Sequence, residues 1–249
     1  MGGMMAKYGS DKVAFFLIDG FSVLGDTTEL SDDKEAVTER TDPLGVTDEE
    51  HSFVGLRRAS LSQSGFYNDD AGRMNEALVS SNGAHRVTCY GVEGNTTGRR
   101  FVGIGGLMQV RYQRTATRGE LHKASAEYQV SGQVDEGVIL HPLGAETEDG
   151  DSESDSVDGG ASSSDGGVGF LQVPELELGG HDDVTIRILD SADNTTFAEL
   201  IAFTAVDDAP LAERKSVSGT VEQYLATDWE FGGSGSDPSI TFMAGFARV

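Results

Sequence analysis

Five histidines and one cysteine are the side chains from which metal or nucleophilic chemistry would be built. His51, His85, His122, His141 and His181 are dispersed. None stands at the H-x-x-x-H spacing that places two imidazoles on one helix face around a zinc ion. Cys89 lies in VTCYG, a strand-like pattern. A buried structural thiol fits there better than a nucleophile, because a reactive thiolate needs an electropositive, accessible setting. GIGGLM carries Gly103, Gly105 and Gly106 but lacks the third glycine of a dinucleotide-binding turn and any helix pattern after it. Those glycines read as easing a bend or a close approach within a sheet. DGDSESD, from Asp149, has the acidic alternation of a calcium loop without its sixth-position glycine or closing glutamate. SGSD near Ser234 is not the G-x-S-x-G of a nucleophile elbow. Asn95-Thr96-Thr97 and Asn194-Thr195-Thr196 are formal glycosylation triplets. The expectation is therefore no catalytic residue, no metal set and no cofactor.

The elements around these residues read as strands. VAFFLI, Val13 to Ile18, is apolar and flanked by Asp11, Lys12 and Asp19, with a turn at Asp19-Gly20. FSVLGDTTELS continues as a second extended piece. Residues 26–50 are polar and highly charged and read as a long exposed hairpin or loop, broken by Pro43 and Gly45. Residues 52–66, SFVGLRRASLSQSGF, alternate: Phe53, Ala59, Leu61 and Gly65 share one parity, Arg58, Ser60, Ser62 and Ser64 the other. One helix is expected near 69–80, capped by Asp69 or Asp70, with Met74, Ala77 and Leu78 as its apolar stripe and Asn82-Gly83 as its stop. HRVTCYGV, RFVGIGGLMQV, VRYQRTAT and AEYQVSGQVDEGVILH follow as strand candidates. Residues 145–167 hold only alanine and one valine as apolar groups and read as an acidic Gly/Ser-rich linker or surface loop. Strand patterns then resume through VGFLQV, DVTIRILDS, FAELIAFTAV, RKSVSGTVEQYLATDWEF and SITFMAGFARV. In DVTIRILDS, Val184, Ile186 and Ile188 share a parity. The expected division is a β domain over 1–140, a linker over 141–168 and a β-rich domain over 169–249, with no repeat between the halves.

The charge narrows the function classes. The chain of 249 residues has a net charge of −24, with only five lysines beside thirteen arginines. Scarce lysine among abundant acids reads as adaptation to high salt. At ~1 M salt the Debye length is ~3 Å, so such a chain can still form dense assemblies. Basic patches for phosphate binding are not expected. No segment approaches the ~20 apolar residues of a membrane span, so no membrane partner is expected. The start, MGGMMAKYGSDK, lacks a signal-peptide apolar region, which suggests assembly in the cytoplasm.

The order FFLIDGFSVLGDTTELS, charged loop, FVGLRRASLSQSGFYND and short helix resembles the major tail tube proteins of long-tailed, siphovirus-like viruses. The strand motif is carried by Gly55, Leu56, Leu61, Ser64, Gly65, Phe66, Tyr67 and Asp69. The second half, from VDGGASSSDGGVGFLQV to SITFMAGFARV, is similar to the long form of that family. The resemblance implies a mainly β fold: a tail-tube β-sandwich or barrel with one short helix, plus a C-terminal β-sandwich-like half. It also implies homohexameric rings stacked into a tube, located in the virion tail of a virus of a halophilic host. The lumen would pass DNA during genome ejection without specific binding. Tail-tip, tail-terminator and tape-measure proteins would be partners. The 26–50 loop would reach the adjacent ring through Asp32, Asp33, Glu35, Glu39, Arg40, Asp42, Asp48, Glu49 and Glu50. The helix would pack outside the barrel. Ser60, Ser62, Ser64, Gln129, Ser131 and Gln133 would face the lumen. The alternative left open is a virion decoration protein or a receptor- or glycan-binding β-sandwich.

Overall fold

The computed structural model describes residues 9–40, 52–79 and 83–249, with only the backbone for 36–40 and 52–57. In chain order the strands are β1 (Phe16–Ile18), β2 (Phe21–Ser22), β3 (Thr27–Arg40) and β4 (Ser52–Phe66), then helix α1 (Met74–Val79). There follow β5 (His85–Gly91), β6 (Arg100–Thr115), β7 (Lys123–Val130), β8 (Val134–Glu146), β9 (Gly150–Asp151) and β10 (Val157–Asp158). The chain ends through β11 (Gly167–Glu177), β12 (Val184–Ser191), β13 (Ala198–Ala202), β14 (Leu211–Val217), β15 (Tyr224–Phe231) and β16 (Ser239–Arg248). The protein is thus mainly β, with one short helix among the described residues.

The spine is a long hairpin. β6 runs antiparallel to β7 along its second half, from Thr115–Lys123 to Leu107–Val130, and to β8 along its first half, from Ile104–Val134 to Arg100–Val138. β7 and β8 are therefore one strand interrupted at Ser131–Gln133. A Cβ on Gly106 would lie 2.1 Å from the Ser131 carbonyl oxygen, and the Ser131 N–H donates to Gly106 O at 2.7 Å. Of the three glycines read from the sequence as easing a bend or close approach, Gly106 is the one that admits this jog; Gly105 and Gly103 make room for Arg214 and Phe170. RFVGIGGLMQV and VRYQRTAT are one strand, because the antiparallel ladder runs through both.

At the jog the sheet forks. β7 carries β4 and then β3 on its outer edge, whereas β8 carries β16, β11 and β14. On the other side of β6 lie β5, β1 and β2, giving one sheet of eleven strands. β1 and β2 are joined by Asp19 and Gly20, both at positive φ (49° and 84°), which matches the twist of a two-residue hairpin.

The sheet curls. β11 is buried on both faces, as its nearly continuous apolar run GVGFLQV requires. Val168 and Phe170 point to a central core with Phe15, Leu17, Cys89, Phe101, Ile139 and Met243. Leu171 and Val173 point the other way, into the core beneath the second sheet. That sheet has five strands, ordered β10-β15-β12-β13, with β9 also on β15. Val184, Ile186 and Ile188 are buried there, on the parity expected. The β14–β11 and β1–β2 ends meet through side chains: Gln172 accepts from Gly20 N–H at 2.7 Å and donates to Val87 O at 3.2 Å. Among the described residues no backbone ladder closes this ring.

Two expectations about organisation change. β11, β14 and β16 share one sheet with the strands of residues 1–140, and β11 and β16 share their central core, so the expected boundary near 140 falls inside β8. The acidic segment 141–168 is held in place rather than extended into water. Trp229 Nε1 donates to Glu148 O at 2.9 Å, Phe231 N–H donates to Asp149 Oδ1 at 2.7 Å, and Gly150 and Asp151 pair with Trp229 and Asp228. Composition missed this because the segment uses its backbone and carboxylates, not apolar side chains, to join β15. RKSVSGTVEQYLATDWEF likewise splits: β14 joins the large sheet and β15 the small one.

Candidate assembly surface

β3, β4, β7 and β6 form a four-strand blade with two unlike faces. In register, Asp33, Ser60, Gln129 and Met108 make one row, Ser31, Ser62, Glu127 and Arg111 the next, and Glu29, Ser64, Ser125 and Gln113 the third. This face is open to water. The alternation of β4 follows its sequence parity, with Leu61 and Gly65 buried and Ser60 and Ser62 exposed. Gln129, Ser131 and Gln133 are also exposed, the latter two on the jog.

The opposite face is apolar and covered by α1. Met74, Ala77 and Leu78 are fully buried in one core with Leu61, Ala124, Ala126 and Tyr128. Burial of Met74 and Leu78 contributes about 1.5–3 kcal/mol each. Polar contacts fix the helix: Gln109 Nε2 donates to Leu78 O at 2.9 Å and Tyr112 OH to Asn75 Oδ1 at 3.1 Å. The turn before the helix is organised by Asn68 in place of an aspartate cap. Its Oδ1 accepts from Asp70 N–H at 3.0 Å and its carbonyl accepts from Asn75 N–H at 2.9 Å.

The charged segment expected as a loop is partly strand. Asp32, Asp33 and Glu35 are exposed on β3, and the backbone of Glu39 and Arg40 pairs with Phe53 and Ser52. Asp42, Asp48, Glu49 and Glu50 lie outside the described residues. β3 has β4 as its only ladder partner among the described residues, so its other edge is unpaired. Lys34 donates to Glu136 across the fork at 2.8 Å, and Arg100 reaches the same carboxylate at 2.6 Å. The Lys34 hydrogen bond and charge hold the Glu136 carboxyl below its usual range. A groove of about 690 Å³ opens at the fork between Arg58 and Arg248.

The groups screened for chemistry do not converge. Cys89 is fully buried, and burial pushes its thiol up; Gln172 Nε2 lies 3.7 Å from its sulfur. His141 stacks on Phe242 with centroids 4.0 Å apart, meets Trp229 edge-on at 4.9 Å, and lies 3.2 Å from Glu146 Oε1. No cluster of three or more His, Cys, Asp or Glu that could hold a metal is found among the described residues. No helix among them is long and apolar enough to cross a membrane.

Sequence reasoning missed two bridging groups. Gln172 is one. The other is Arg214, whose Nη2 and Nε donate to buried Asp135 Oδ2 at 2.9 and 3.1 Å while its guanidinium lies 5.7 Å from the Phe170 ring centroid. The only sequence signal for Gln172 was a lone amide inside an apolar run.

No protein-family model and no curated protein matches the chain. Among solved structures it is similar to a chain in the virion of a native gene transfer agent particle, with TM-score 0.41, 14% identity, and coverage of 52% of this chain and 97% of that one. A chain from the tail of an empty gene transfer agent particle, refined with C6 symmetry, gives TM-score 0.40 and 12% identity over 51% and 97%. The SPP1 Dit protein, described as a paradigm of the hub adsorption apparatus in phages infecting Gram-positive hosts, gives TM-score 0.33 and 10% identity over 94% and 99%. All three likenesses are remote in sequence and in chain path.

Proposed function

We propose that this chain is a structural, non-catalytic subunit of a viral tail tube. Subunits form hexameric rings, rings stack, and the lumen conducts DNA during genome delivery. The observation that carries this reading is the two-faced blade. One face is capped by α1, the other is an ordered field of Ser, Gln, Glu and Asp with Met108 and Arg111 on β6, and the outer edge of β3 has no ladder partner among the described residues. An unpaired edge strand is a template for pairing with another copy, and a closed ring removes it. The polar rows of Ser60, Ser62, Ser64 and Gln129, with Ser131 and Gln133, then line the lumen. Acidic neighbours such as Glu127, Glu29 and Asp33 repel phosphate and let DNA slide. Residues 26–50 reach the adjacent ring, and α1 lies outside. The tail-tip, terminator and tape-measure proteins contact the ends and interior of the tube. The low lysine content matches assembly in strong salt inside a halophilic host. Electron microscopy of the purified chain in molar salt tests the reading: hollow tubes or six-membered rings are expected, and a monodisperse monomer at high concentration excludes it.

A further inference from the structure

The hairpin tip between β6 and β7 differs from the rest of the surface. Residues 111–123 carry Arg111, Arg114, Arg118 and Lys123 against a single acid, Glu120, in a chain of net charge −24. All five are exposed. Beside them stand two large apolar side chains in water, Leu121 at 69% and Phe66 at 39% exposure. The base of the tip is ordered. Tyr67 N–H donates to His122 O at 3.0 Å, their rings lie 4.5 Å apart, and Arg114 sits over Tyr67 and Tyr112. A groove of about 400 Å³ runs from Phe66 and Lys123 toward Thr28. Exposed apolar groups ringed by one sign of charge mark a protein contact.

The β7–β8 strand leads from this tip to its complement. Beyond Glu146 the chain exposes Glu148, Asp149, Asp151, Glu153, Asp155 and Asp158, with no Lys or Arg between 146 and 158. Half-buried Val157 offers apolar surface among them. The strip is rigid, because β9 and β10 pair with β15 and Ser152 N–H donates to Thr227 O at 2.8 Å.

We propose that the β6–β7 tip docks on the 148–158 strip of a second copy of this chain. Arg111 pairs with Glu127 at 3.0 Å and Lys123 with Glu120 at 3.6 Å, so Arg114 and Arg118 carry the demand for an acidic partner, and Leu121 and Phe66 demand one that also covers apolar surface; DNA meets only the first demand. The tip cannot face another tip, since like charges would meet, so the contact is head-to-tail and propagates. The inference rests on the self-assembly in the reading above but not on a ring.

Two charge-reversed full-length variants test it: Arg118→Glu with Lys123→Glu, and Glu153→Lys with Asp155→Lys. Neither pair of side chains makes a buried contact, and circular dichroism verifies folding. By sedimentation in ~1 M salt, where screening spares direct contacts within ~3 Å, wild type associates and each variant alone needs about tenfold more protein or worse. An equimolar mixture regains association, because each reversed patch meets its opposite. Leu121→Ser weakens association in the same assay. A monomeric wild type, variants that associate like wild type, or a mixture no better than its components overturns the proposal. So does tip reversal that lowers DNA retention alone. Head-to-tail chains that obey the swap but enclose no lumen keep this contact and remove the tube reading. Tubes indifferent to the swap do the reverse.

Discussion

Gln172 Oε1 accepts the backbone N–H of Gly20 at 2.7 Å, joining residues 152 positions apart. The same amide donates to Val87 O, so one side chain ties β11 to both the β1–β2 turn and β5. Gly20 is pressed against the facing strands: a Cβ there would lie 2.7 Å from Val173 O and 2.6 Å from Leu211 N. The curl of the large sheet is thus held by an amide where a barrel would use a ladder.

Gln172→Leu keeps the volume and removes the bonds. It leaves the buried Gly20 N–H unsatisfied, at about 1–3 kcal/mol, while Val87 O keeps the Asp19 N–H at 2.8 Å. Urea unfolding is expected to show the lower midpoint, while Cys89 gains labelling by a thiol reagent as the seam opens. An unchanged midpoint contradicts the bridge.

Gly106→Ala forces a methyl to 2.1 Å from Ser131 O, so the jog between β7 and β8 must shift. A loss of about 1–3 kcal/mol or more is expected, as for overpacking elsewhere. Gly25→Ala is the control, since nothing lies within 4 Å of its Cβ position. Equal thermal stability of the two variants contradicts the account of the fork.

Asp149→Ala removes the acceptor of Phe231 N–H. Limited proteolysis reads the effect. The wild type is expected to resist cleavage between 147 and 158, and the variant to be nicked there while the rest of the chain survives. Rapid cleavage of the wild type in that segment contradicts its place on β15.

Much of the fold was legible because burial follows parity. The described side chains of β4, β12 as far as Ile188 and the Met74–Ala77–Leu78 stripe follow their patterns, whereas Leu189, read as outward, is buried; Asp19-Gly20 makes the expected turn. What was not legible depends on partners far along the chain. Nothing near residue 140 tells that Ile139 shares a core with Phe15 and Met243. Nothing in Glu148 or DGDSESD tells that Trp229 anchors them, because a backbone carbonyl and a ladder pair have no sequence signature. The candidate surface was half visible: the serine parity of β4 was readable, whereas its alignment with Gln129 needed the ladder.

His141 supplies a pH dependence. Burial, partly offset by Glu146, holds its folded pKa below the usual 6.5. The unfolded chain therefore binds the proton first, so its stabilising contribution is whole above about 6.5 and falls as pH drops toward the folded value. His141→Phe is expected to flatten the stability profile between about pH 7 and 5 in chemical denaturation. A wild-type profile that rises on acidification through that window contradicts this sign.

Asp135→Asn weakens the contact with Arg214, whose guanidinium also lies over Phe170. Breaking such a largely buried pair costs about 3 kcal/mol, and replacing both partners by apolar groups recovers most of it. A double-mutant cycle with Arg214→Met measures the coupling; additive losses contradict it.

The run from Lys123 to Glu146, broken only by the jog at Ser131–Gln133, has a mechanical consequence. If copies join between the β6–β7 tip and the acidic strip, tension along the assembly passes down one covalent backbone. It need not cross any row of hydrogen bonds, apart from those that pin the strip to β15. Stretching would then meet the stiffness of a peptide chain, while bending would concentrate at Ser131–Gln133, making the jog the hinge of an otherwise inextensible strut.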